Sequence, residues 1–519
     1  MEKKGSLAKS AVLMGFIILI SKALGLLRDI LVASAYGSTA GGVAYETASK
    51  LPITIFDFVL GGVVTAAFIP VYNAVAVKRG RDEAMSFCRS YVKLIFCITA
   101  AIAVLGVALA PWLVSFMAPQ IAEETAALAV RLTRIMFPMV IFVGLAFSFV
   151  GFLQSEGEYN IPALISLVSN VIMVGYLLIF NNRFGVGGLA VAMLAGWAAQ
   201  AAVQIPSVHK RGFRFRLSAP IWTPDTKRAA VNTLPILIAT WTTPACAFIN
   251  TRLASGIAEG RAIADLGYAN RLYIIIVGLF SFVATNLLFP HFARAAASGD
   301  AEESDRLTRT SLKTLIYIIA PIAAGVAVLA APFVSLVYER GEFTADDTRL
   351  TAEALSMYAA GMIFTACAEV LTKAFFAAEK TRLPMLSSLV SMTFNIAVAY
   401  GCRALLGERF GVGTIALVTA LAAGVNLAVN LVFALRCRMI SFVPRDWLDA
   451  GKSVLAALLM GAGVWWTAHK TAGLGPIVGF LLPVLTGAAI YALSTLLLRS
   501  ETAVLALRTA RKKPEEPST

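Results

Sequence analysis

Charge is scarce in this sequence: Asp, Glu, Lys and Arg make up 14% of its 519 residues, against about 25% in soluble globular domains. Histidine is rarer still, with three widely separated residues, His209, His291 and His469. The six cysteines, Cys88, Cys97, Cys246, Cys367, Cys402 and Cys437, form no CxxC pair and lie mostly inside apolar runs. That spacing argues against a metal or redox centre and reads them as buried, inert thiols. No G-x-x-x-x-G-K-[ST], H-E-x-x-H, G-x-S-x-G or glycine-rich dinucleotide fingerprint occurs. ATP hydrolysis through a Walker-type loop is thereby excluded. The loops are short and hold no cluster of acids or histidines of the kind a membrane transferase needs for metal and diphosphate. The expectation is a transporter, not an enzyme.

What the sequence has in abundance is apolar residues, 58% of the total, with a mean hydropathy of +0.78. Soluble domains stop growing at about 250–300 residues, so no single globular core hides this much apolar surface. A soluble enzyme, a disordered chain and a secreted disulfide scaffold are excluded, and the bilayer is the solvent that fits. The first apolar run continues from Ala11 through Leu31 without an A-x-A site, so it reads as a retained span and not a cleaved signal peptide. A hydrocarbon core of about 30 Å needs roughly 20 apolar helical residues per crossing. Breaks at charged and turn-rich segments then divide the chain into about fourteen continuous helical spans. These lie near 10–35, 44–74, 89–117, 126–154, 161–181, 186–208, 229–257, 263–293, 311–338, 351–378, 383–405, 412–436, 450–469 and 474–498.

The net charge of +14 is distributed unevenly among the loops. Lys3, Lys4 and Lys9, then Lys78, Arg79 and Arg81, then Lys210, Arg211, Arg214, Arg216, Lys227 and Arg228 fall on one side. The series continues with Arg306, Arg309, Lys313, Arg436, Arg438, Arg445, Arg508, Arg511, Lys512 and Lys513. The positive-inside rule places these loops, and both termini, in the cytoplasm. Most of the basic excess is therefore a topology signal, and nucleic acid is not an expected partner.

The chain also repeats itself at a period of about 220 residues. Pro162–Val168 reappears as Pro384–Val390, Arg89 and Lys93 recur as Arg309 and Lys313, and Pro111-Trp112 as Pro332-Phe333. Phe68-Ile-Pro70 matches Leu288-Phe-Pro290, and Ala48–Leu51 matches Ala269–Leu272. Six spans fit in one period, and an even number returns the second copy to the starting side, so the repeats are parallel, as in the halves of some transporters. The expected architecture is all-α and polytopic: an N-lobe at 1–222 (spans 1–6) and a C-lobe at 223–440 (spans 7–12). Two further spans lie at 441–500, followed by a basic tail at 501–519.

Ionisable groups inside the membrane are costly and mark function by default. The first span carries Ser21-Lys22-Ala-Leu-Gly25-Leu-Leu-Arg28-Asp29. Six residues of α-helix turn through about 600°, placing Lys22 and Arg28 about 120° apart, where both can flank one cavity. Asp29 adjoins Arg28 but points elsewhere and is expected to pair with another helix. Lys50 in the second span and Arg271 in the eighth occupy matching repeat positions, and Arg252 in the seventh is a further candidate. The membrane carboxylates Glu46, Asp57 and Glu369 are fewer. A cleft richer in cations than anions suits an anionic substrate, and arginine binds phosphate oxygens bidentately.

The segment Ser21–Asp29 resembles the S-R-x-L-G-x-x-R-D signature of the MurJ (MviN) lipid II flippase family in the MOP exporter superfamily. Similar stretches follow in family order: Phe68–Tyr72, Phe137-Pro138, Tyr159–Ala163 with Asn170, Ile249–Thr251, Asn270–Leu272, Arg340–Thr344, Ala374–Phe376, Thr381–Pro384 and Asn395. The resemblance covers about residues 6–500. It implies a flippase carrying an undecaprenyl-pyrophosphate-linked disaccharide pentapeptide from the inner to the outer leaflet of the bacterial cytoplasmic membrane by alternating access. It implies pyrophosphate binding in a cationic cavity, with Arg28, Asp29 and Arg271 at charged family positions and Lys22 in place of a usual arginine. It also implies a lipid-tail groove at spans 13 and 14. The chain departs from the family at Val43, where an acid is usual, and at Phe56–Gly62, where an arginine pair precedes A-E-G. A third departure is Asn270-Arg271-Leu-Tyr-Ile274, in place of D-R-x-x-E. Lys50 or Arg252 would then supply the missing charge. No cofactor is implied, coupling to the membrane potential or to a monovalent cation stays open, and a monomer is expected. The alternatives are a flippase for another polyprenyl-linked saccharide and a cation-coupled multidrug antiporter of the same superfamily.

Overall fold

The computed structural model describes residues 2–61, 63–216, 218–283, 288–298, 300–441, 443–471 and 473–504. Gly62, the tail cations Arg508, Arg511, Lys512 and Lys513, and the side chains of Lys3, Lys4 and Lys9 lie outside the described residues. The fold is helical throughout the described residues and separates into two compact units, Met1–Ala264 with Arg340–Phe343, and Asp265–Glu339 with Thr344–Thr519. Nine described helices are long and apolar enough to cross a membrane, or ten if the bent pair Glu123–Met136 and Met139–Ser155 is one span. The protein is a multi-pass membrane protein.

The first unit contains α1 (Glu2–Tyr36), α2 (Ala40–Val59), α3 (Val63–Arg79), α4 (Arg81–Ala108), α5 (Ala110–Met117) and α6 (Glu123–Met136). It continues with α7 (Met139–Ser155), α8 (Asn160–Ile179), α9 (Asn181–Ala202), α10 (Ile205–Lys210), α11 (Pro224–Thr240) and α12 (Thr242–Ala254). Several apolar runs expected to be continuous are broken. The 44–74 run is two helices, interrupted where Gly61 takes φ +49°. The 89–117 run breaks at Leu109, two residues before Pro111, and the 126–154 run bends by 41° at Phe137-Pro138. Hydropathy registers lipid solubility but is blind to proline, which lacks the N–H that continues the ladder.

Aromatic packing consolidates one end of this unit. Phe68 sits between Tyr72, Phe87 and Tyr91 at ring separations of 5.2–5.5 Å. Phe152 continues the cluster to Tyr72 and Phe213. The rings lie under an ionic cover: Tyr72 Oη donates to Glu156 at 2.6 Å, Arg81 donates to Glu156 at 2.6 Å and Arg211 to Glu158 at 2.8 Å. Burial of the cysteines differs from the expectation. Only Cys88 and Cys367 are buried, while Cys97 is exposed on α4. In a bilayer the outer surface is itself apolar, so an apolar run does not imply burial.

The second unit begins within α13 (Ala262–Val283) and contains α14 (Phe289–Ser298), α15 (Ala301–Tyr338), α16 (Ala345–Ala377) and α17 (Arg382–Leu406). The remaining helices are α18 (Val412–Arg436), α19 (Pro444–Thr471) and α20 (Pro476–Leu497). α16 is its central element, packed against α15 and α18, while α19 and α20 pack on each other and on α15.

The two sequence repeats share their backbone irregularities as well. Leu109 (φ −88°, ψ 5°) and Leu329 (φ −95°, ψ 15°) mark equivalent breaks, each just ahead of a proline. Gly185 and Gly407 take φ +55° and +54°, and Gly157 and Glu379 take +78° and +58°. Gly37 and Glu259 take +48° and +56°. All four pairs fall at the offset of about 220 residues seen in the sequence, so the duplication extends to backbone conformations that L-residues rarely adopt.

At 38 residues, α15 is about 57 Å long by its rise per residue, well beyond a core of about 30 Å. Its charged first turns therefore stand outside the membrane. There Arg309 and Lys313 grip Asp446 at 2.6 and 2.5 Å, and Arg309 also bonds Asp305 at 3.2 Å. Desolvation opposes ionisation of Asp446, yet hydrogen bonds from Lys313 and Arg309 prevail and hold its carboxyl below its usual range. Asp305 is likewise lowered, with Ser441 and Arg309 outweighing desolvation. A depressed folded-state pKa adds stability that is present above the unfolded value and lost as pH falls through the folded one. Melting temperature is accordingly expected to drop on acidification below about pH 4, and Asp446→Asn is expected to flatten that drop. A pH series of melting curves on both proteins checks it.

Candidate anion site

The cation expected to matter most lies where α1 packs on α8. Ser21, Gly25 and Arg28 stand four and then three residues apart, so they form one stripe of α1 facing its neighbour. Asn170 of α8, 6% exposed, inserts against that stripe. Its Nδ2 donates to the Ser21 carbonyl at 3.0 Å, and its Oδ1 accepts from Arg28 Nη1 at 3.0 Å. A Cβ on Gly25 would stand 3.4 Å from that same Nδ2, so the small residue is what lets the amide lie between the two turns.

Asp29 does not point away from Arg28. The long arginine side chain curls back, and its Nε and Nη2 donate to Asp29 Oδ1 at 3.1 and 2.9 Å. Reach along the side chain overrides the 100° between successive helical positions. Arg28 thus spends three of its five N–H donors on Asp29 and Asn170 and keeps two. Its side chain is 33% exposed while Asp29 is buried. A guanidinium fixed by two partners with donors to spare is a pre-aimed receptor for an oxyanion. Lys22, on the adjacent face, is exposed.

The other expected residues take separate partners. Lys50 pairs with the buried Glu46 one turn earlier on α2 at 3.1 Å. Arg252 of α12 donates to the Phe116 carbonyl and lies 5.0 Å over the Phe116 ring. It caps the C-terminal end of α5, where a cation complements the helix dipole. In the second unit, half-buried Arg271 lies 5.5 Å over the Tyr268 ring, which packs on Tyr338 at 5.3 Å. One turn before Tyr268, Asp265 is fully buried and accepts from Thr351 at 3.4 Å. Residue chemistry alone did not single out Asn170 or Asp265. The polar side chain inside the apolar stretch after Tyr159–Ala163 was the available signal for Asn170.

The second unit also holds an apolar cavity of about 450 Å³. Its walls come from α15, α19 and α20, with Phe333, Met460, Phe480 and Tyr491 among them. Tyr491 Oη donates to the Tyr317 carbonyl at 2.7 Å and so satisfies its polar end.

This all-helical fold is shared with solved membrane transporters. An inward-facing multidrug resistance MATE family transporter of the MOP superfamily superposes with a TM-score of 0.69 at 15% identity, covering 83% of this chain and 98% of that one. A solved structure described as lipid II flippase MurJ in an inward closed conformation gives a TM-score of 0.77 at 22% identity, covering 96% and 100%. In sequence, the family model described as lipid II flippase MurJ matches residues 32–486. The chain belongs to the lipid II flippase MurJ family. A probable lipid II flippase MurJ of Rhizobium meliloti is 27% identical over 488 residues, 91% of this chain and 89% of that one. The lipid II flippase MurJ of Burkholderia cenocepacia is 25% identical over 492 residues, 91% and 94%.

Proposed function

We propose that this protein flips lipid II, the undecaprenyl-pyrophosphate-linked peptidoglycan precursor, across the bacterial cytoplasmic membrane by alternating access. The observation that carries the reading is Arg28, held by Asp29 and Asn170 inside the first membrane helix with two donors uncommitted. Arg28 and Lys22 receive the pyrophosphate and Asp29 orients the guanidinium, while Arg271 is a substrate-binding cation of the second unit taken by itself. Lys50 and Arg252, bound to Glu46 and to Phe116, serve the helices that carry them. A membrane potential, negative inside and worth about 2.3 kcal/mol per charge per 100 mV, biases the loaded against the empty cavity. Both termini lie in the cytoplasm, on the side of the basic loops. The test is replacement: a bacterium depleted of its own lipid II flippase is expected to grow when this chain is expressed. Continued lysis with well-inserted protein would count against the assignment.

The isoprenoid tail lies along the second unit's apolar cavity. Gly325 lines it, and a Cβ there would meet only Met460 Cε, at 3.8 Å, so a larger side chain enters empty space without a backbone clash. Gly325→Phe is expected to leave folding intact and to lower transport about ten-fold, read as the rate at which labelled lipid II reaches the outer leaflet. A ring occupying the cavity removes burial worth 1.5–3 kcal/mol per side-chain-sized portion of tail.

A further inference from the structure

Asp29, Glu46 and Asp57 are carboxylates set within apolar runs of the first unit. The first two each have a cation: Arg28 binds Asp29 at 2.9 Å and Lys50 binds Glu46 at 3.1 Å. Asp57, half-buried near the middle of the 44–74 run, has no hydrogen bond or ion pair among the described residues. Lys50 stands two turns earlier on the same stripe of α2, since seven residues turn through about 700°, but Glu46 holds it. On the helices packed against α2, Arg28 of α1 is committed to Asp29 and Asn170, Asp225 of α11 to Arg79, and Arg252 of α12 to Phe116. None of these acts on the Asp57 charge, nor do Arg89 and Lys93 of α4, Arg131 and Arg134 of α6 or Cys246 of α12. Counting on from the matched Ala48–Leu51 and Ala269–Leu272, the second repeat has Gly278 at this position, so the helix itself requires no acid there. An ionisable group kept inside a membrane helix at such cost marks function by default.

Asp57 occupies the last turn of α2, where the run breaks. Leu60 leaves the helical region at φ −127°, Gly61 takes φ +49°, and the N–H groups of both turn back to the Phe56 carbonyl at 2.7 and 3.0 Å. The 229–257 run is interrupted too, between α11 and α12 at Trp241, whose Nε1 donates to the Phe58 carbonyl at 2.8 Å. A Cβ on Gly61 would stand 3.2 Å from Thr240 Oγ1, so the two breaks touch. Asp57 thus lies where two interrupted helices are tied together, at a half-helix C-terminal end, the place where transporters hold coupling cations. Its charge meets the negative end of the α2 dipole with no cation to offset it. A hard metal cation takes six or more oxygen ligands, and the described residues include no group of three His, Cys, Asp or Glu that could hold one. A proton needs a single oxygen. We infer that Asp57 is a proton-binding site that couples the transport cycle to the proton gradient. A carboxylate oxygen takes up a proton entering from the outer side, forming an O–H bond, and that bond breaks on release to the cytoplasm. Binding cancels the charge at the tied breaks and release restores it, so occupancy biases how the two interrupted helices bend. For what the proton drives, the inference rests on the lipid II reading; the proton site itself does not.

Two measurements on the full chain test it. The first uses liposomes holding labelled lipid II and the protein in one orientation, with the membrane potential clamped by potassium and valinomycin. A gradient of one pH unit, acid on the outer-leaflet side, is expected to shift the steady-state outer-to-inner ratio of lipid II about ten-fold, the equivalent of one proton per cycle. Asp57→Asn, which breaks no bond, is expected to let lipid II equilibrate but to abolish the response to the gradient, and Asp57→Glu to keep it. The second measurement is the infrared difference spectrum on acidification. The C=O stretch of a protonated carboxyl is expected in the wild type and is expected to be missing from Asp57→Asn, whatever the protein transports. Wild-type flipping that ignores the gradient, or an equal response in Asp57→Asn, overturns the coupling and leaves the flippase reading intact. Identical infrared spectra from the two proteins overturn the proton site. A wild type that moves no lipid II under any gradient counts against the flippase reading, and the infrared comparison then decides the proton site alone.

Discussion

Arg28→Ala is expected to reduce lipid II transport by about two orders of magnitude while the protein still inserts. Truncation removes the proposed pyrophosphate receptor together with the two bonds it gives Asp29, 6% exposed, and the one it gives Asn170 Oδ1. Breaking one side of a buried charged pair costs about 2–5 kcal/mol, and each 1.4 kcal/mol is ten-fold in an equilibrium constant. Arg28→Lys separates charge from geometry. Lysine is a point charge that cannot hold Asp29 and Asn170 while offering a planar fork to phosphate, so it is expected to retain a minor fraction of the activity. Transport rates normalised to inserted protein, for wild type and both variants, check this. Full activity in Arg28→Ala would remove the proposed receptor.

The largest loss of stability is expected from Gly37→Val, in the turn between α1 and α2. Gly37 has φ +48°, and a Cβ there would stand 2.3 Å from the carbonyl oxygen of Glu342. The contact is with backbone, anchored by the bond from Glu342 N to the Ser34 carbonyl at 2.9 Å, so no side chain can rotate away. The left-handed conformation costs an L-residue about 1–2 kcal/mol, and overpacking adds about 1–3 kcal/mol. Gly80→Val isolates the conformational part, because Gly80 has φ +91° with nothing within 4 Å. Melting temperatures are expected to fall much further for Gly37→Val than for Gly80→Val. Equal falls would mean that the docking of residues 340–343 on this turn contributes nothing.

How far such features are legible in sequence depends on their physical origin. The all-helical membrane class and the duplication follow from hydropathy and self-similarity, because lipid solubility and common descent act over hundreds of residues. Breaks at Leu60-Gly61, Leu109 and Phe137 are local backbone events inside runs that hydropathy cannot resolve. The chemistry around Arg28 was half legible. A cation in a membrane span draws notice by its cost, but its orientation depends on Asn170, 142 residues away, and on the absence of a side chain at Gly25. Arg252 shows the opposite case. Charge alone made it a binding candidate, whereas its partners Phe116 and the end of α5 give it a structural task. The Glu259 and Glu379 turns, strained as glutamates, became intelligible only beside Gly37 and Gly157 of the first copy.

The most direct measurement is the fraction of lipid II exposed on the outer leaflet of cells whose own flippase has been depleted and replaced by this chain. Expression of the wild type is predicted to restore that fraction to the undepleted level, and expression of Arg28→Ala to leave it near the depleted one. An outer-leaflet fraction that stays at the depleted level with correctly inserted wild-type protein would contradict the account.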